Sequence, residues 1–153
     1  MTGVRLSPDE AWAVVEASHT GIFTSLRRDG MPIASPIWFV VLDRRIYVSG
    51  PVTAKRVARV RRDPRVSFLV ESGKSWAELR AVHLTGRARV ATEPDLLVRV
   101  AAALDVKYAR FRTQRSAMPA ATRAHYDVKL ATIEVTPDEH ILSWDNARLR
   151  LRP

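Results

Sequence analysis

At 153 residues, with 46% hydrophobic and 27% charged positions, the chain has the size and make-up of one soluble domain around one ordinary core, and no apolar run approaches the roughly 20 residues that a bilayer span needs. There is no cysteine, which excludes disulfides, thiolate nucleophiles and cysteine-ligated metals; Met1 to Asp9 lacks a basic start followed by an apolar stretch, so a cytoplasmic location is expected. A formal net charge of +9 predicts anionic partners such as phosphates, nucleic acid, acidic lipids or polyanionic coenzymes.

The first element is a helix from Pro8 to about Ala17. Ser7 stands as its N-cap, Pro8 at the first helical position and Glu10 three residues after the cap, the pattern of a capping box. Trp12 and Val15 share one face and should pack on a sheet. Gly21 to Arg27 then favours a strand, and Asp29-Gly30 supplies a positive-φ turn into a second strand. Ile33 through Val41 is apolar and β-branched, with Pro36 interrupting its early part. Asp43-Arg44-Arg45 turns into Ile46 to Ser49, so these segments predict a three-stranded meander. Gly50-Pro51 is expected to break it, and Thr53 to begin and cap a short helix with Val57 and Val60 inward and Arg59, Arg61 and Arg62 outward. Asp63-Pro64 ends that helix.

Val66 to Val70 reads as a strand, followed by a polar turn through Glu71 to Ser75. From Ala81 to Val90, residues 82, 84, 86, 88 and 90 are apolar or small while His83, Thr85, Arg87 and Arg89 occupy the other parity, which predicts a strand with one solvated face. Glu93-Pro94-Asp95 starts the longest helix, which carries Leu96, Leu97, Val100, Ala101 and Leu104 and reaches Lys107. Arg112 to Tyr126 shows no pattern. Lys129 to Val135 and His140 to Trp144 read as two strands separated by a turn at Pro137-Asp138-Glu139. Consecutive short strands with helices inserted among them predict a mainly β fold, an antiparallel barrel with peripheral helices, in one domain over 1–153.

The positive charge is concentrated. Lys55, Arg56, Arg59, Arg61, Arg62 and Arg65 stand together with Asp63 as their only acid, and Arg148, Arg150 and Arg152 form a second cluster. The strand Ile46 to Ser49, the turn, the basic stretch from Thr53 and the run Arg61-Arg62-Asp63-Pro64-Arg65-Val66 resemble the pyridoxamine-phosphate-oxidase-like split barrel family. Pro36-Ile37-Trp38-Phe39, Glu78 to Val82, Gly86-Arg87-Ala88 and Ser143-Trp144-Asp145 are similar to the branch of that family that uses the deazaflavin coenzyme F420. The resemblance covers roughly residues 19 to 92 and the tail strand. The basic pair stands as Lys55 then Arg56, the reverse of the oxidase's order, and an arginine fork binds phosphate differently from a lysine point charge.

The resemblance implies an antiparallel FMN-binding-type split barrel that holds F420, or alternatively FMN, at a homodimer interface. It implies an oxidoreductase that moves hydride from the reduced coenzyme to a small conjugated or heteroaromatic acceptor. Thr53, Lys55 and Arg56 would hold the coenzyme phosphate, Arg59 with Arg61 and Arg62 would attract the acidic tail of F420, Ser35, Ile37, Trp38 and Ser49 would form the wall and edge of the ring pocket, and Trp76 or Trp144 would reach across from the second subunit. No side chain is assigned to the chemistry itself, because the coenzyme carries it. For Lys55 and Arg56 the competing reading from charge alone is a solvated helix face; for Trp38 it is plain packing, and Trp12 is core. His19, His83, His125 and His140 show no metal-ligand spacing, so no metal is expected. A nucleic-acid-binding barrel would need aromatic residues among the cations from Lys55 to Arg65 for stacking, and there are none. A split barrel that only stores or senses a cofactor or haem is a third reading.

Overall fold

The structure, a computed structural model, describes residues 3–149. Helices α1 (Pro8–Ala17), α2 (Lys55–Arg62), α3 (Pro94–Tyr108) and α4 (Ala120–Tyr126) are distributed among strands β1 (Gly21–Leu26), β2 (Pro32–Ile37), β3 (Val40–Leu42), β4 (Arg45–Pro51), β5 (Arg65–Ser72), β6 (Arg80–Ala91) and β7 (Leu130–Asp145). The strands form one antiparallel sheet in the order β2-β1-β5-β6-β7-β4-β3. Its two margins, β2 and β3, are consecutive in the chain and joined only by Trp38 and Phe39. So short a link forces the margins together, and the sheet must curl into a barrel. No ladder joins β2 to β3 among the described residues, so the barrel is split at that seam. This is the mainly β split barrel that the sequence predicts.

Alternate residues of each strand fill the interior. Phe23, Val48, Phe68, Val82, Leu84 and Ile133 form its centre. Helix α1 adds Trp12 and Val15 and α2 adds Val57 and Val60. Both halves of the predicted capping box are present, Ser7 N–H donating to Glu10 at 2.7 Å and Glu10 N–H to Ser7 Oγ at 3.3 Å. Helix α3 packs on the outer face of the other margin, where Val100, Leu104 and Tyr108 cover Val40 and Tyr47.

The seam is fixed by Tyr108. Its hydroxyl accepts from the Phe39 N–H at 2.9 Å and lies 2.9 Å from the Phe39 carbonyl and 2.8 Å from that of His19, either of which can take its proton. Burial pushes this phenol up from its ordinary pKa. Trp38 stacks parallel on the Tyr108 ring at 4.4 Å.

Several sequence expectations are corrected. The apolar stretch breaks at Trp38-Phe39 rather than at Pro36, which an edge strand accommodates because its proline nitrogen need not join a ladder. The meander is absent, since β4 pairs with β3 and β7 and never with β2. Gly50-Pro51 lies inside β4 as its last two residues rather than breaking the strand before them, for Gly50 pairs with Ala131 and Pro51 with Leu130. Thr53 lies in an exposed turn, and α2 starts two residues later with Ala54 as an N-cap lacking a side-chain hydrogen bond. The tail is one 16-residue strand, not two. Pro137 pairs with Gly86 beside a register shift in β6, so a bulge takes the place of the expected turn. Thr136 O would lie 2.4 Å from a Cβ at position 86, which is why glycine stands there. The unpatterned stretch from Arg112 contains two 3-10 turns and α4. Arg150 and Arg152 of the second basic cluster lie outside the described residues.

Replacing Tyr108 with phenylalanine keeps the ring stack but strands the buried Phe39 N–H. The expected cost is about 1–3 kcal/mol, read as a lower urea midpoint with an unchanged m-value; an unaltered midpoint would show that the hydroxyl does not hold the seam.

Candidate anion-binding site

Helix α2 is held in place by Val57 and Val60, which plug into the barrel core and turn its charged residues away from it. Arg62 fastens the helix to the first hairpin by donating to the Leu26 carbonyl at 2.5 Å. Gly30 at φ 84° makes the hairpin turn that carries Arg27 and Arg28. Between the two lies an open basin of about 710 Å³, lined by Arg27, Arg28, Ile33, Lys55, Arg59 and Arg62, with Asp29 as its one acid. Asp29 is already paired with Arg27 at 2.7 Å.

Acids are scarce in this region, where Asp29 is the one carboxylate of the lining. Elsewhere Arg45, Arg80, Arg89, Arg99 and Arg115 each have a carboxylate within 4 Å, and so does Arg65, whose guanidinium beside Asp63 holds that carboxyl down at about 2. Among the described residues Arg28, Lys55, Arg56, Arg59 and Arg62 have no such partner. A cluster of like charges without counter-ions is self-repelling, and an anion in the basin relieves it. Ser25, on the interior face directly across from Ile33, is fully buried, and its hydroxyl has no hydrogen-bond partner.

The candidate residues named from the sequence are distributed as follows. Lys55 and Arg59 line the basin. Ser35 and Ile37 share the parity of Ile33 on β2 and continue the same face, both half-buried. Arg56 turns to the other side of the helix and lies along β4, with Nη2 2.2 Å from where a Cβ of Gly50 would be. Burial there pulls its guanidinium pKa below the ordinary value. Thr53 is exposed in the preceding turn. Ser49 points to the opposite face of the sheet from Gly50, and its hydroxyl is 2.9 Å from that of Thr132. Trp38 sits at the seam, 36% exposed. Trp76 lies on a 3-10 turn, 58% exposed, and Trp144 pairs with Ala81 on the outer face of the barrel. Sequence reading missed Arg27 and Arg28, and placed Arg62 on the outward face of the helix without its tie to the first hairpin. The available signal was a basic pair in a hairpin turn, which only the fold carries to α2.

Among the described residues no group of three histidine, aspartate or glutamate side chains is placed to hold a metal ion. The His125 side chain lies outside what the structure describes. No helix among the described residues is long and apolar enough to cross a membrane.

The chain is thus a split antiparallel barrel with a basic helix after its fourth strand. The chain belongs to the family described as Pyridoxamine 5'-phosphate oxidase, whose profile matches residues 7–141. Among solved structures it is similar to a conserved hypothetical protein from Mycobacterium tuberculosis, at 27% identity and TM-score 0.82, over 100% of this chain and 93% of that one. It shares its fold with a FAD-binding protein from Mesorhizobium loti (20% identity, TM-score 0.70, 94% and 96% covered) and with an F420 reductase (16% identity, TM-score 0.64, 89% and 98% covered).

Because only the flexible end of Arg56 approaches Gly50, Gly50→Ala should leave the fold intact and expel the guanidinium. Labelling of Arg56 by phenylglyoxal is expected to rise several-fold with an unchanged circular dichroism spectrum; equal labelling in both proteins would refute the packing of Arg56 on β4.

Proposed function

We propose that this protein is an oxidoreductase that binds F420 and passes hydride from its reduced form to a small conjugated or heteroaromatic acceptor. The observation that carries the proposal is the basin of unpaired cations at α2. A coenzyme phosphate fits it by charge, and the remaining unpaired cations, Arg28 and Arg62, suit the carboxylates of an acidic tail. Lys55 and Arg59 would hold the phosphate, and Arg56 raises the local potential from the β4 side. Ile33, Ser35 and Ile37 offer a flat strand face of mixed apolar and hydroxyl character beside the cations, which suits a ring system. The bound coenzyme supplies the hydride chemistry. The chain's own part is to fix the ligand, to orient its ring by strand backbone groups and to exclude water. FMN, which also carries a phosphate, is the alternative coenzyme for the same cations.

A second copy of the chain belongs to this proposal. Pro36, Ile22, Leu69, His83 and Leu142 are directly paired in turn across β2, β1, β5, β6 and β7 and form one row on the outer face. Ile22, Leu69 and His83 are half-buried, and Leu142 is 45% exposed. A row on the outside of a barrel that is apolar apart from one histidine is a surface suited to self-association.

Fluorescence titration with F420 and with FMN tests the coenzyme. Tight binding of one, with Lys55→Ala and Arg59→Ala each weakening it by about tenfold to a hundredfold and Arg61→Ala leaving it unchanged, is expected. Equilibrium dialysis in which neither coenzyme is retained would sink the proposal. By sedimentation, the wild type should be a dimer and Leu142→Asp a monomer.

A further inference from the structure

A second concavity, of about 450 Å³, lies away from the basin, between the end of α1, strand β3 and the outer part of α3. Its walls are Val40, Val41, Ala102, Ala103 and Val106, with two ionisable groups, Glu16 and Lys107. Lys107 is half-buried near the end of α3, and its ammonium sits 3.9 Å above the ring of Phe39, which is itself wholly buried. The arrangement is rigid, because the Phe39 backbone is bonded to Tyr108, the next residue of the same helix. Among the described residues no carboxylate lies within 4 Å of the Lys107 ammonium.

We infer that Lys107 is a covalent capture site, at which a small apolar aldehyde enters the groove and is held as an imine. The Phe39 ring holds the ammonium by a cation–π contact, which favours the charged form, while the apolar walls in front of it and the lack of an acid within 4 Å favour the neutral amine. The walls select an apolar chain. Glu16, facing the groove from α1, disfavours an anionic ligand but not a neutral carbonyl. No other charged group faces Lys107 from β3, and on its own helix the Tyr108 ring is 5.4 Å away.

In the reaction the neutral amine attacks the carbonyl carbon, and the C=O pair moves to oxygen. Oxygen gains a proton and nitrogen loses one, giving a carbinolamine. The remaining proton on nitrogen is then transferred to that hydroxyl, which leaves as water as the nitrogen pair forms the C=N bond, so no oxidant or reductant is consumed. Burial pulls the Lys107 pKa down to about 8, with Glu16 opposing that shift. At pH 7 roughly a tenth of this amine is therefore neutral, against well under a thousandth of an exposed lysine.

The test is reductive alkylation of the full chain by hexanal with cyanoborohydride, followed by peptide mapping. Lys107 is expected to be alkylated at least about tenfold faster than Lys55, Lys74 and Lys129, with a rate that rises as pH rises through about 8. Lys107→Arg should abolish the fast phase. Ala102→Trp, which fills the groove from its exposed side, should slow hexanal but not formaldehyde. Even labelling of all four lysines, slow labelling of Lys107, or an Ala102→Trp protein that reacts with hexanal as the wild type does would each overturn the inference.

Discussion

The link of Trp38 and Phe39 between the two sheet margins is the constraint on which the architecture rests. With two linking residues Ile37 and Val40 are three residue steps, at most about 11 Å, apart, so β2 and β3 cannot separate, and five intervening strands must curl to let them meet. Curling gives the sheet an inside, which α1 and α2 help fill, and leaves α3 to cover the margin at β3. The same closure brings the β1–β2 turn against α2 and so assembles the basin from segments that are far apart in sequence. Tyr108 secures the link from outside the barrel, which makes the end of α3 part of the barrel's closure rather than an appendage.

Charge is arranged in two regimes. Along β4, β7 and β6, Tyr47, Glu134 and Arg89 lie side by side; Glu134 is 3% exposed, accepts from Tyr47 at 2.9 Å and Arg89 at 2.8 Å, and has Arg45 at 3.8 Å. Glu93, and after it Glu134, hold the Arg89 guanidinium above its usual range. Such a network satisfies itself: each buried charge has partners, and removing one would leave another uncompensated. The cations around α2 have no such arrangement. Part of the net positive charge is thus gathered around α2, while among the described residues Arg5, Arg87, Arg110 and Arg123 also have no carboxylate within 4 Å.

Where local physics decides, the sequence is readable: the capping box at Ser7, the turn at Gly30 and the parity of residues 82 to 90 all depend on near neighbours. Errors fall where a distant partner decides. Gly50 looks like a strand end but is a place for the Arg56 side chain, and Gly86 and Pro137, read separately as a strand position and a turn, are two halves of one bulge. Adjacent letters can also diverge in space, as Lys55 and Arg56 do on opposite sides of α2. The basic stretch of the site was legible because it is contiguous. Arg27 and Arg28 were not, since nothing local links a hairpin turn to a helix some thirty residues on.

The long last strand has a consequence for how the chain comes together. β4 finds its main partner in β7, some eighty residues later, and β6 and β7 are separated by α3 and the turns after it. Pairings so remote make folding slow. On the ribosome the first hairpin and its partner β5 can form early, while β4, with only short β3 beside it, waits with an open edge until the C-terminal strand emerges. That interval is when the nascent protein is most exposed to edge-to-edge association, and it favours chaperone contact with β4.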